Sequence, residues 1–297
     1  MNSAKFSIES FKVPIGKTIS LKGYDPSFTD GYKDKEEAQQ QLHDDIEKLS
    51  KMQYKLYAEN KQALLIIFQA MDAAGKDGAI KHIFSGVNPQ GCEVHNFKSP
   101  SVDELDHDYF WRHYKVLPSY GNIGIFNRSH YENVLVTKVH PEILLNGKIL
   151  GIDSLKDINK SFWENRYKQI NSFEKTISQN GTTILKFFLH LSKDEQKRRF
   201  MERIENSEKN WKFSISDIKE REYWDQYQEA YGEAISATSK EWAPWYIIPA
   251  DHKWFSRVVI GSIIVQTLKK MNIKMPTISE KEKFLLESAK EKLLNEK

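Results

Sequence analysis

The chain has 297 residues, 39% of them hydrophobic, enough for a sizeable core, and its single cysteine, Cys92, excludes an intrachain disulfide. Forty-four basic and 41 acidic residues leave a formal net charge of +3, too near balance to point by itself to nucleic acid or any polyanion. MNSAKFSIES at the N-terminus lacks the apolar run of a signal peptide, and no stretch offers the roughly 20 apolar residues of a membrane span, so a cytoplasmic protein with no membrane or nucleic-acid partner is expected.

In chain order, Lys12–Gly23 is mixed and polar, Asp25–Gly31 is turn-rich, and Lys35–Tyr57 has a helical pattern, so residues 1–57 read as a peripheral N-terminal extension. The run ALLIIF at Ala63–Phe68, followed by a glycine-containing turn, predicts a fully buried parallel strand. Further strands are predicted at Cys92–Phe97, Ile123–Phe126, Thr183–Leu189 and Trp245–Pro249. Helical segments lie between them, several opened by a Ser-x-x-acid capping signature: Ser101 with Glu104, Ser161 with Glu164, and Ser192 with Glu195. This alternation predicts an α/β fold, a parallel sheet covered by helices on both faces, in one domain over 1–297 without internal repeats. After Pro276, segment 277–297 predicts a C-terminal helix capped by Ser279 and Glu282, its stripe of Leu285, Ala289 and Leu293 docking on the body or on another subunit.

Ala70–Gly78 reads AMDAAGKDG, directly after the first strand and before a helical stretch, where a P-loop belongs. The amides of Ala73, Ala74, Gly75, Asp77 and Gly78 could cradle phosphate oxygens there, with Lys76 reaching the transferring groups. Ala70 stands in place of the first glycine, and Asp77 replaces the hydroxyl residue that normally serves magnesium. Asp72 then becomes a candidate Mg2+ ligand, since magnesium binds through one or two carboxylates plus phosphates and water. The plainer alternative is a strand-to-helix turn in which Asp72 and Asp77 only stabilise the helix N-terminus.

After IGIF comes Asn127-Arg128-Ser129-His130-Tyr131-Glu132, polar groups at the carboxyl end of a buried strand, where ligands bind open parallel sheets. Asn127 occupies the place of a magnesium-binding aspartate, and Glu132 could supply the missing carboxylate to the metal or act on an acceptor nucleotide. Ser129-x-x-Glu132 is also a capping box. Arg128 suits bidentate phosphate contacts; Arg112, upstream, could hold an acceptor phosphate or make a surface salt bridge. No HExxH or Cys/His cluster suggests zinc.

Segment 192–217 reads as a helical lid with a polar stretch beyond it. Arg199 and Arg203 share a helix face, and Lys209 and Lys212 follow, so the four could close over a chain of phosphates. Glu195, four before Arg199, equally makes an ordinary ion pair. Trp211 reads as a lid anchor and Asp217 as a cap of the next helix.

Taken in order, AMDAAGKDG, SGVNPQGCEV, FWRHYK, GIFNRSHYE, EKNWKFSISD and PWYIIPADHKWF strongly resemble polyphosphate kinase family 2 from about Lys12 to about Met275. The resemblance implies a thymidylate-kinase-like P-loop fold with a helical lid, and magnesium-dependent, reversible transfer between polyphosphate and nucleotides. It makes Lys76 and the loop amides the phosphate cradle, Asp72 a metal ligand, and Arg128, Arg199 and Arg203 phosphate contacts. The string around Asn127 is similar to the class that phosphorylates both AMP and ADP, in which the glutamate matching Glu132 is implicated in AMP use. Partners expected are polyphosphate and AMP, ADP and ATP, in a homo-oligomer. The rival readings are an ATP-dependent nucleoside monophosphate kinase and a non-catalytic nucleotide- or nucleic-acid-binding module.

Overall fold

Five parallel strands, β1 (Ala63–Ala70), β2 (Cys92–Asn96), β3 (Ile123–Asn127), β4 (Thr182–His190) and β5 (Trp245–Pro249), form one sheet in the order β2-β3-β1-β4-β5. The computed structural model describes residues 5–29, 31–32 and 34–296, with Lys212 by its backbone alone. The helices are α1 (Lys35–Glu59), α2 (Lys76–Ile83), the single turns α3 (Val102–Leu105), α4 (Trp111–Tyr114) and α5 (Val136–Val139), α6 (Lys160–Gln179), α7 (Lys193–Glu205), α8 (Ile215–Glu220), α9 (Trp224–Thr238), α10 (Lys253–Lys270) and α11 (Glu280–Leu294).

Every β1 residue is buried because the strand is central and both faces are covered. Strand alternation splits it between two cores: Leu64, Ile66 and Phe68 pack with α2 and α10, while Leu65 and Ile67 pack with α6 and α9. α10 lies between the sheet and α1, which is why its VVIGSIIV run is apolar all round. The predicted strands match the observed ones to within two residues.

Two expectations need correction, and that for α11 is narrowed to its second alternative, another subunit. The first 57 residues are not peripheral: Phe11, Val13, Leu21 and Leu49 are buried in the two cores, and Val13 N–H donates to Trp245 O at 2.9 Å. Ser161 and Glu164 do not cap α6, because the helix starts earlier at Asn159, whose side chain accepts from Phe162 N–H. The α11 stripe does not dock on the body; none of its residues is buried. By contrast, the Ser101/Glu104 and Ser279/Glu282 boxes form reciprocally, while Ser192 caps α7 and Glu195 turns its carboxylate to Arg198 and Arg199.

One polar network lies inside the α6–β4 core. Lys186 Nζ donates to Glu174 Oε2 (2.6 Å), Tyr131 Oη (2.8 Å) and Thr238 O (2.8 Å), and His130 Nε2 lies 3.3 Å from Glu174 Oε1. Burial lowers the Lys186 ammonium to about 8, with the Glu174 carboxylate opposing. The network fixes His130 and Tyr131 from below, and hence the turn after β3.

Candidate active site

β1 ends at Ala70, and the chain turns sharply through Met71–Gly75 into α2, with φ of +62° at Ala73 and +104° at Gly75. Glycine takes this conformation freely; at Ala73 the Cβ makes it cost about 1–2 kcal/mol, which surrounding contacts must offset. No side chain caps α2, so its first-turn amides remain available for phosphate oxygens. Lys76 folds under the loop, Nζ donating to Ala70 O at 3.0 Å. Burial pushes its ammonium below the ordinary lysine value, and Asp72 is the largest charge opposing this.

At the end of β3, Asn127 Nδ2 donates to Asp77 Oδ1 (2.8 Å) and Asn96 Oδ1 (2.7 Å), lacing β2, β3 and the first turn of α2 together. Arg128, at φ +64°, donates its N–H to Phe68 O and its Nη2 to Asp72 Oδ1 at 3.1 Å. Ser129 caps the following turn through Tyr131 N–H, but Glu132 does not close a capping box. Its carboxylate sits instead with Arg128 and Lys76: burial raises its pKa, Arg128 and then Lys76 oppose, and Glu132 in turn is the largest charge raising Arg128.

These elements wall a cleft of about 920 Å³ closed on its far side by α7 and the stretch to α8. Among the described residues it is lined by Asp72, Ala73, Ala74, Gly75, Lys76, Asp77, Gly78, Asn127, Arg128, Arg199, Arg203 and Lys209 as expected, and also by Lys81, Lys98, Glu202, Asp217, Lys253 and Arg257. Nine lysines and arginines face four carboxylates there, so the near-neutral chain has a local excess of positive charge in the cleft. Lys98 lies two residues beyond β2, and Lys253 opens the helix after β5, with Arg257 one turn further along it. The strand-end rule applied to β3 points to Lys98 and Lys253.

Arg199 departs from its expected role. Its Nε donates to Glu195 Oε1 (2.7 Å), Nη1 to Ala73 O (3.0 Å) and Ala74 O (2.9 Å), and Nη2 to Ala250 O (2.6 Å) and Asp251 O (2.9 Å). A guanidinium has five donors, and all five are used, so none is left for a phosphate. Arg203 lies over the Phe200 ring, 3.9 Å from Asp217 Oδ2, and Lys209 pairs with Glu202. Trp211 is 77% exposed on the cleft rim, its Nε1–H donating to Glu208 O at 3.0 Å. The Lys212 side chain lies outside the described residues. Asp217 does not cap α8, a task Ser214 performs; burial and then Asp72 raise its carboxyl pKa, which puts it opposite the loop. Arg112 takes the salt-bridge reading, 3.2 Å from Glu104 Oε1, stacked over Phe97 and donating to Lys98 O, so it buttresses the wall without lining it.

Among the described residues no three His, Cys, Asp or Glu side chains gather into a metal cage. Asp72 and Asp77 still suit magnesium, which needs one or two carboxylates when phosphates and water complete its shell. Glu132 does not line the cleft directly; its carboxylate lies behind it, within range of the charges of Arg128, Lys76 and Asp72.

The family described as Polyphosphate kinase 2 (PPK2) matches residues 32–276. A Rhodopseudomonas palustris protein named ADP-polyphosphate phosphotransferase is 46% identical over 95% of this chain and 97% of its own. A Meiothermus ruber protein named AMP/ADP-polyphosphate phosphotransferase is 43% identical over 92% of this chain and 98% of its own. The crystal structure of polyphosphate kinase 2 from Arthrobacter aurescens TC1 superposes with a TM-score of 0.85 at 36% identity, covering 97% of this chain and 99% of that one.

Proposed function

This chain belongs to the polyphosphate kinase 2 family, and on that premise we propose how its cleft is used. The enzyme transfers phosphoryl groups between polyphosphate and adenine nucleotides. In our reading it does so reversibly and with Mg2+, taking AMP to ADP and ADP to ATP.

The observation that carries this reading is the cleft itself: nine cationic side chains around a loop whose helix amides are uncapped. A polyanion of many phosphates lies along them, its terminal phosphoryl group on the loop amides. Lys76 exchanges Ala70 O for a phosphate oxygen. Asp72 and Asp77 would hold Mg2+, which would supply charge neutralisation for the transferring group. Arg128 binds the acceptor nucleotide's phosphate, oriented by Asp72 and Glu132, while Arg203, Lys209, Lys253 and Arg257 offset charge along the donor. No general base is required, because the attacking nucleotide phosphate is already anionic; catalysis is positioning and charge neutralisation. The reducing cytoplasm suits the half-buried free thiol of Cys92.

The test is to follow ADP and ATP formation from AMP or ADP with polyphosphate, with magnesium and after its removal by chelation. Turnover should require polyphosphate and the metal, and Lys76→Ala should abolish it without lowering the melting temperature. Turnover with ATP but not polyphosphate as donor to AMP would replace this reading with an ordinary nucleoside monophosphate kinase.

A further inference from the structure

Two side chains of α7 grip the phosphate loop by its carbonyls. Gln196 Nε2 donates to Asp72 O at 2.9 Å, and Arg199 Nη1 donates to Ala73 O and Ala74 O at 3.0 and 2.9 Å. Both are buried, at 2% and 3% exposure, so these are not surface contacts. Three consecutive carbonyls are thus turned toward α7. Because each peptide unit is planar and trans, the N–H groups of Ala73, Ala74 and Gly75 point away from it, that of Ala74 toward Met71 O at 3.4 Å. The grip also falls on Ala73, the loop residue whose left-handed backbone an alanine avoids.

We propose that Gln196 and Arg199 are positioning residues, a clamp that holds Ala73 left-handed and thereby sets the loop amides and Asp72 for phosphoryl transfer. The clamp reaches further. Arg199 Nη2 holds Ala250 O and Asp251 O, fixing the end of β5 to the loop, and Arg221 Nη1, beyond α8, donates to Gln196 Oε1 at 2.7 Å. The far end of the stretch that closes the cleft is therefore tied to the amide that holds Asp72. Neither Gln196 nor Arg199 touches substrate in this scheme. Backbone strain that a glycine would relieve is carried instead by side chains from another element.

This inference rests on the loop being the transfer site, and its test separates the two. Arg199→Lys keeps the charge but loses the fork; it is measured in the native background and in Ala73→Gly, with polyphosphate and ADP as substrates. The clamp predicts that Arg199→Lys lowers kcat at least tenfold with Ala73 present, with the polyphosphate KM within about twofold. With glycine at position 73, free to stay left-handed, the same substitution should lower kcat less than threefold. Equal losses in both backgrounds, or a loss confined to the polyphosphate KM, would overturn the clamp and return Arg199 to phosphate binding. If Arg199→Lys does not fold, Gln196→Ala in the same two backgrounds gives the same comparison through the Asp72 carbonyl. Full turnover of Lys76→Ala in this assay would instead remove the loop assignment on which the clamp depends.

Discussion

At the scale of single residues, the loop lysine, Asp72 and Arg128 were legible because each follows directly from a buried strand end, where chain order and site coincide. Arg199 was misread for a physical reason. Spacing of four on a helix shows which residues share a face, but not that the loop carbonyls of Ala73 and Ala74, well over a hundred residues earlier, lie against that face. Glu132 was ambiguous in the sequence and is less so in the fold, where it serves Arg128 and not a cap. Glu132→Gln should therefore cost AMP phosphorylation more than ADP phosphorylation, tenfold or more in kcat/KM against a few-fold; steady-state rates with each acceptor decide it, and equal losses would exclude an acceptor-specific role. Glu195 offers a pH test. Hydrogen bonds from Arg198 and then Arg199 pull its pKa to about 2, so its contribution to stability is present above the ordinary value near 4.5 and is lost as pH falls toward 2. Acid unfolding should begin at higher pH in the native enzyme than in Glu195→Gln once both are normalised to pH 7.

At the scale of elements, the strands and α1 are readable to within two residues because the hydrophobic pattern carries them, whereas the packing of polar groups between elements is not. Nothing in TILKFFL announces that Lys186 faces a core and meets Glu174 across α6. Removing one partner leaves a buried charge alone, so Lys186→Met should destabilise by about 3–5 kcal/mol. Neutralising both in Lys186→Met/Glu174→Gln should recover most of that in urea unfolding, because no unpaired charge remains. If the double variant is as unstable as the single one, the pair contributes packing and not charge balance.

For the molecule as a whole, the near-balanced net charge concealed a cleft rich in cations, since summation over the chain erases a local excess. The same blindness applies to α11, whose pattern was visible while its partner was not. Phe284, Leu285, Leu286, Leu293 and Leu294 are exposed on a helix carrying four glutamates and four lysines. Such balanced charge suits an antiparallel pairing with α11 of a second copy, the closed two-fold arrangement most common among homo-oligomers. If α11 joins two copies in this way, deleting residues 277–297 should lower the mass measured by light scattering while leaving turnover within twofold; an unchanged mass would exclude α11 as a subunit contact. The strand order has a consequence for how the chain is made. β1 is central yet is synthesised first, and β4, one of the two strands that flank it, emerges roughly 110 residues later. At ribosomal rates of about 5–20 residues per second, the apolar segment ALLIIF waits on the order of 6–22 s for that neighbour, an interval in which one edge of the future central strand has no partner.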